Sequence, residues 1–157
     1  MNARQVRLGD TFEAIGGPLA RLRRSLREDG EAILVDQVHA SGAQLLASDA
    51  FLQRFQQTTD LALRKLLPRF LAVLEESDQK VPFAAVFDRL DGYGVISDVP
   101  WWIELNALRN RLIHEYAMLA DARASELQAA WRAAARLVDE LDRIRTDHAM
   151  VLRGSPK

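Results

Sequence analysis

The chain has 157 residues, of which 48% are hydrophobic and 27% charged, a composition suited to one globular unit with one core. It has no cysteine, which excludes a disulfide framework and a thiolate metal site. A net charge of −1 and a pI near 6.3 exclude a protein that binds nucleic acid through bulk positive charge, so any RNA contact must be local.

The residue supply is that of a helical protein, dominated by alanine, leucine, arginine, glutamate and glutamine. A first helix is expected over residues 4 to 28, divided into two pieces by Gly16-Gly17-Pro18. Its Arg21, Arg23, Arg24 and Arg27 form the one local basic cluster, read as a solvated helix face. Residues 31 to 46 suit a second helix, weakened by Gly42 and containing the best strand candidate, Ala32-Ile33-Leu34-Val35. A third, stronger helix is expected from a cap at Ser48 or Asp49. Phe51, Leu52, Phe55, Leu61, Leu63, Leu66 and Leu67 supply its apolar face, Pro68 kinks it, and Phe70, Leu71 and Leu74 carry it to about residue 76.

Pro82 then opens a short helix ending near Leu90, and Asp91-Gly92-Tyr93-Gly94 makes a turn. Ser97 or Asp98 caps the next helix, which runs from Trp101 to about Ala120. The last runs from about Arg123 to Arg145, with a frayed tail from Arg153. The expectation is an all-α protein, an antiparallel bundle of four to five helices. It forms one domain over residues 1–150 with a flexible tail over 151–157. No apolar run approaches the ~20 residues needed to cross a bilayer, and the first ten residues lack an apolar signal region. The expected setting is soluble and cytoplasmic, with no membrane contact.

The segment Trp101 to Ala120 carries the chemistry. At 100° per residue, Leu105, Leu108, Leu112, Tyr116 and Leu119 form a core stripe, and Ala107, Asn110, His114, Ala117 and Met118 lie roughly opposite. That second face of small residues suits a close partner surface. Asn110 and His114 are i and i+4, so the amide can orient the imidazole. Arg109 lies about 140° from His114 around the helix and nearly in line with Tyr116. Spacing alone leaves a bland alternative open, in which Arg109 snorkels beside the core and Tyr116 caps it. Glu115 is also spaced to pair with Arg111 on the helix surface.

Arg109-Asn110-Arg111-Leu112-Ile113-His114-Glu115-Tyr116 closely resembles the motif of the HEPN family (higher eukaryotes and prokaryotes nucleotide-binding), and the His-x-Tyr ending resembles its HepT-like branch. Ser48 to Phe55 is similar to that branch's Asp-Ala-x-x-Gln-Arg-Phe helix. Val86-Phe87 through Ile96-Ser97-Asp98 to Trp101-Trp102 is similar to the short helix, turn and tryptophan that lead into its motif. The resemblance covers residues 48–145; the first 47 residues match loosely, and Pro68 departs from the pattern.

The resemblance implies a homodimer in which two motif helices line a cleft. It implies the toxin of a toxin–antitoxin module, a metal-independent endoribonuclease with Arg109 and His114 as catalytic residues and Asn110 in support. Tyr116 would accept AMP from a minimal nucleotidyltransferase antitoxin. No cofactor and no metal are implied, and the three histidines, His39, His114 and His148, are far apart in sequence. The alternative is a non-catalytic subunit that binds nucleotide or substrate for a nucleotidyltransferase.

Overall fold

The structure is a computed structural model that describes residues 1–30, 33, 39–114 and 120–152. Among these there is no β-strand. The helices are α1 (Ala3–Glu28), α2 (Gly42–Leu61), a π-helical turn (Ala62–Leu66), α3 (Leu67–Leu74), α4 (Phe83–Gly92), α5 (Val99–His114) and α6 (Ala120–Leu152). The chain is thus all-α, as the composition predicts, and no described helix is long and apolar enough to cross a membrane.

Helix α1 is continuous where a break at Gly16-Gly17-Pro18 is expected. Pro18 lacks the N–H that would bond the carbonyl of Ala14, a local cost. The stripe of Leu8, Phe12, Ile15, Leu19 and Leu22 runs straight through the interruption and is buried along its length. Burying five large side chains outweighs one lost hydrogen bond. Asn2 and Gln5 form a reciprocal capping box at the start of α1. The basic cluster behind the stripe is the solvated face expected of it: Arg21, Arg24 and Arg27 are exposed, and Arg23 pairs with Asp142 on α6.

Two boundaries differ from the sequence expectation. Helix α2 begins at Gly42, capped by Ser41, whose hydroxyl accepts from the Gln44 N–H while the Gln44 side chain accepts from the Ser41 N–H. The expected caps, Ser48 and Asp49, lie inside the helix. Ser48 is buried and its hydroxyl donates to the Leu45 carbonyl; Asp49 pairs with Arg123. The expected second helix over 31 to 46 therefore yields its last residues to α2, and most of its remainder lies outside the described residues. Helix α6 extends beyond the expected 123 to 145 at both ends, and the expected tail from Arg153 lies outside the described residues.

The irregularity expected at Pro68 is present as the π turn over 62–66, closed by Leu67 N–H bonding the Ala62 carbonyl. Its cause is legible in the apolar spacing. Phe55, Thr59, Leu63, Leu67 and Leu71 recur every four residues and all are buried. In a pure α-helix such a row drifts by about 40° per step. A wider turn takes back part of that drift, so both the upstream and downstream side chains face the core.

Pairings between helices give their directions. Along α1, Arg4 and Arg7 pair with Asp78, Thr11 accepts from Arg69, and Ser25 accepts from Arg54. Rising numbers on α1 meet falling numbers on α2–α3, so the two run antiparallel. Helices α5 and α6 are antiparallel by the same test, with Asp98 paired to Arg136 and Arg111 to Glu126. A single apolar cluster draws on every helix and includes Trp102, Phe51, Phe55, Phe70 and Phe87.

Candidate functional site

Helix α5 is placed by Trp102, Leu105 and Leu108, spaced by three residues and all buried. Leu112 continues the stripe, half-buried against the core, while Tyr116 and Leu119 lie outside the described residues. Val99 and Pro100 open the helix after Asp98, which takes the left-handed backbone (φ 55°) and gives its carbonyl to the Trp101 N–H. The Asp98 carboxylate accepts from Arg136, whose guanidinium also stacks 4.3 Å from the Trp101 ring centre. This corner locks the start of α5 onto α6 and sets the rotation of everything that follows.

That rotation turns Asn106, Arg109 and Asn110, at i, i+3 and i+4, along one flank. Arg109 is mostly covered, with 19% of its side chain exposed. Its Nη2 donates to Asp60 Oδ2 at 2.9 Å, and its Nη1 donates to Asn110 Oδ1 at 3.1 Å. Its Nε stands 2.5 Å from Asp60 Oδ1, a charge contact without the alignment of a hydrogen bond. Asp60 is the penultimate residue of α2, so the pair ties the end of that helix to the motif helix. Thr59 Oγ1 and Asn106 Oδ1 are buried and have no hydrogen-bond partner among the described residues.

Arg109 and Asn110 are therefore brought together, with the amide oxygen of Asn110 directed to Arg109. His114 is the last described residue of α5, one turn beyond Asn110, and Tyr116 lies outside the described residues. Asp60 was not anticipated. It lies 49 positions from its partner, just outside the apolar row of α2, and no local pattern signals a contact at that separation.

The neighbouring Arg111 bonds Glu104 at 3.1 Å and Glu126 at 3.2 Å. Burial opposes its charge, but the two carboxylates more than offset this and raise its pKa. Glu115, the partner expected from sequence, lies outside the described residues. Among the described residues no group of three histidine, aspartate or glutamate side chains is placed to hold a metal ion.

Compared with known proteins, the chain matches no family model, no curated protein and no solved structure.

Proposed function

We propose that this chain is a HEPN-like toxin, a cytoplasmic, metal-independent endoribonuclease that works as a homodimer and is neutralised by a partner nucleotidyltransferase. The observation that carries the reading is Arg109-Asn110-x-x-x-His114-x-Tyr116 on one helix, with the arginine fixed in place by Asp60 and Asn110. A guanidinium anchored in advance loses little freedom when it meets a phosphate. The proposed reaction needs only these residue types. His114 takes the proton of a ribose 2′-OH, the 2′ oxygen attacks the adjacent phosphorus, and the 5′ oxygen leaves with a proton returned to it. Arg109 stabilises the charge that builds on the phosphoryl oxygens. In the twofold assembly the small residues beside the motif, Ala107 and Ala117 among them, meet their own copies. Transfer of AMP from ATP to the Tyr116 hydroxyl releases pyrophosphate and sets a bulky anion beside Arg109.

One observation favours a second reading. The fork of Arg109 is occupied by a carboxylate, which lowers its appetite for phosphate, and the chain carries no basic surplus. On that reading the chain is a non-catalytic subunit that holds nucleotide or substrate for the transferase. RNA cleavage by the purified protein in excess EDTA separates the two. The ribonuclease reading expects cleavage that falls at least about 100-fold in His114→Ala and in Arg109→Gln, the scale of one acid–base or electrostatic group. Absence of cleavage, or a strict need for Mg²⁺, overturns it.

A further inference from the structure

A second concave site lies on another part of the molecule, between the start of α1, helix α3, the 75–82 link and α4. It encloses about 440 Å³, within the roughly 300–1,000 Å³ typical of small-molecule sites. None of its lining residues belongs to the Arg109 cluster. Its floor is apolar, formed in part by Leu71, Val81 and Val86. Its rim is cationic. Arg4, Arg7, Arg69, Lys80 and Arg89 face only two carboxylates, Glu75 and Asp78.

The way those charges are arranged is informative. Asp78 is gripped by two arginines at once: Arg4 Nε donates to Oδ2 at 3.1 Å and Arg7 Nη2 donates to Oδ1 at 2.8 Å. Asp78 is 59% exposed, so this grip is weak and open to exchange. Arg69, half-buried, has no carboxylate. Its Nη1 donates to the Thr11 hydroxyl at 2.6 Å, and that hydroxyl donates to the Arg7 carbonyl, so the guanidinium is held in place by neutral groups and keeps its charge uncompensated. Arg89 is shared with Glu75 at 3.1 Å. The cleft thus has an arginine pair already shaped to an oxyanion, further uncompensated charge beside it, and an apolar floor next to both.

We propose that this cleft binds a small organic phosphate, its dianionic head replacing Asp78 between Arg4 and Arg7 and its apolar body lying on Leu71, Val81 and Val86. With three more cations than carboxylates on the rim, a dianion is compensated where a single carboxylate is not, and arginine forks match phosphate geometry. The internal aspartate acts as a tethered competitor. Removing its charge opens the site.

The test uses the full chain and three probes: phenyl phosphate, inorganic phosphate and benzyl alcohol. Calorimetry is expected to give saturable binding of phenyl phosphate, at least about tenfold tighter than of either fragment, a difference of about 1.4 kcal/mol. Asp78→Asn should tighten it by about threefold or more. Arg4→Gln/Arg7→Gln, both at partly or well exposed positions, should weaken it by about tenfold or more while the melting temperature stays close to that of the parent. Amide chemical shifts should move at Ala72, Val81 and Val86. Absence of saturable binding at millimolar phenyl phosphate overturns the proposal, as does an affinity equal to that for inorganic phosphate or unchanged by either variant. Shifts confined to residues 106–110 would place the phosphate at the Arg109 cluster and overturn it too, without bearing on the ribonuclease reading.

Discussion

At the scale of single residues, two groups make strong demands on their surroundings. The first is the Arg109 guanidinium, covered by protein and compensated by Asp60. Asp60→Asn keeps the shape and removes the charge. It is expected to cost about 1–2 kcal/mol in urea denaturation, because a largely covered cation loses its partner. Arg109→Gln in the same background should recover part of that loss, and a double-mutant cycle reads the coupling directly. The second is His148 on α6, 5% exposed, with its ring 3.5 Å from that of Phe70 and 6.4 Å from that of Phe12. Neither ring nitrogen has a hydrogen-bond partner among the described residues. Burial lowers its pKa from 6.5 to about 4; Asp147 pulls the other way and Arg143 adds to the lowering. Between these two values the unfolded chain binds a proton that the folded chain refuses. Stability is therefore full above about pH 6.5 and is lost as pH falls toward 4, by roughly 2 kcal/mol between pH 7 and pH 5. Denaturation curves across that range should show the slope in the parent and a flatter profile in His148→Leu. An equal slope in both would rule out His148 as its source.

At the scale of elements, what could be read in advance depended on how local the determining physics is. The helical state of most segments, the short helix after Pro82 and the turn at Asp91 to Gly94 follow from spacing and from turn residues acting over a few positions, and Gly94 does take the left-handed conformation (φ 74°). The continuity of α1 was not legible, because Gly16-Gly17-Pro18 argues locally for a break and only the long stripe, once packed, overrides it. The start of α2 was misplaced for a similar reason. Ser48-Asp49 and Ser41 are both chemically able to cap, and the choice is made by Gln44, three residues beyond Ser41, closing the reciprocal pair. Gly17 offers a check on the α1 account. A Cβ at this position would meet only the Arg21 guanidinium at 3.5 Å, an ordinary contact. Gly17→Ala should therefore stabilise the protein by about 0.5–1 kcal/mol, seen as a higher melting temperature. A loss of stability would mean that α1 bends or opens there.

At the scale of the whole molecule, the all-α bundle and its antiparallel neighbours were legible, since short connections between helical segments leave few other arrangements. Half of the candidate site was legible as well. Arg109, Asn110 and His114 come from one helix and a periodicity argument suffices to relate them. Asp60 could not be foreseen, because it joins the cluster through the docking of α2 on α5. The proposed twofold assembly makes its own prediction. Ala107 is half-buried within the single chain and sits beside the motif, so Ala107→Glu sets a charge against its own copy across the interface. Light scattering is expected to show a dimer for the parent and a monomer for the variant at tens of micromolar. A parent that is monomeric at that concentration contradicts the assembly.

The π turn ahead of Pro68 also sets a tolerance to changes in length. Its wide loop of backbone spends one residue more than an ordinary turn, and Arg64 and Lys65 are the exposed residues on its outer side. Substituting Lys65 by alanine changes little there. Deleting it would let ordinary α hydrogen bonding run through and would turn all that follows by about 100° relative to what precedes, moving Phe70 and Leu71 off the core side. Point substitution and single-residue deletion at the same exposed position should then differ sharply in the yield of folded protein. The segment tolerates a new side chain at Lys65 but depends on its residue count.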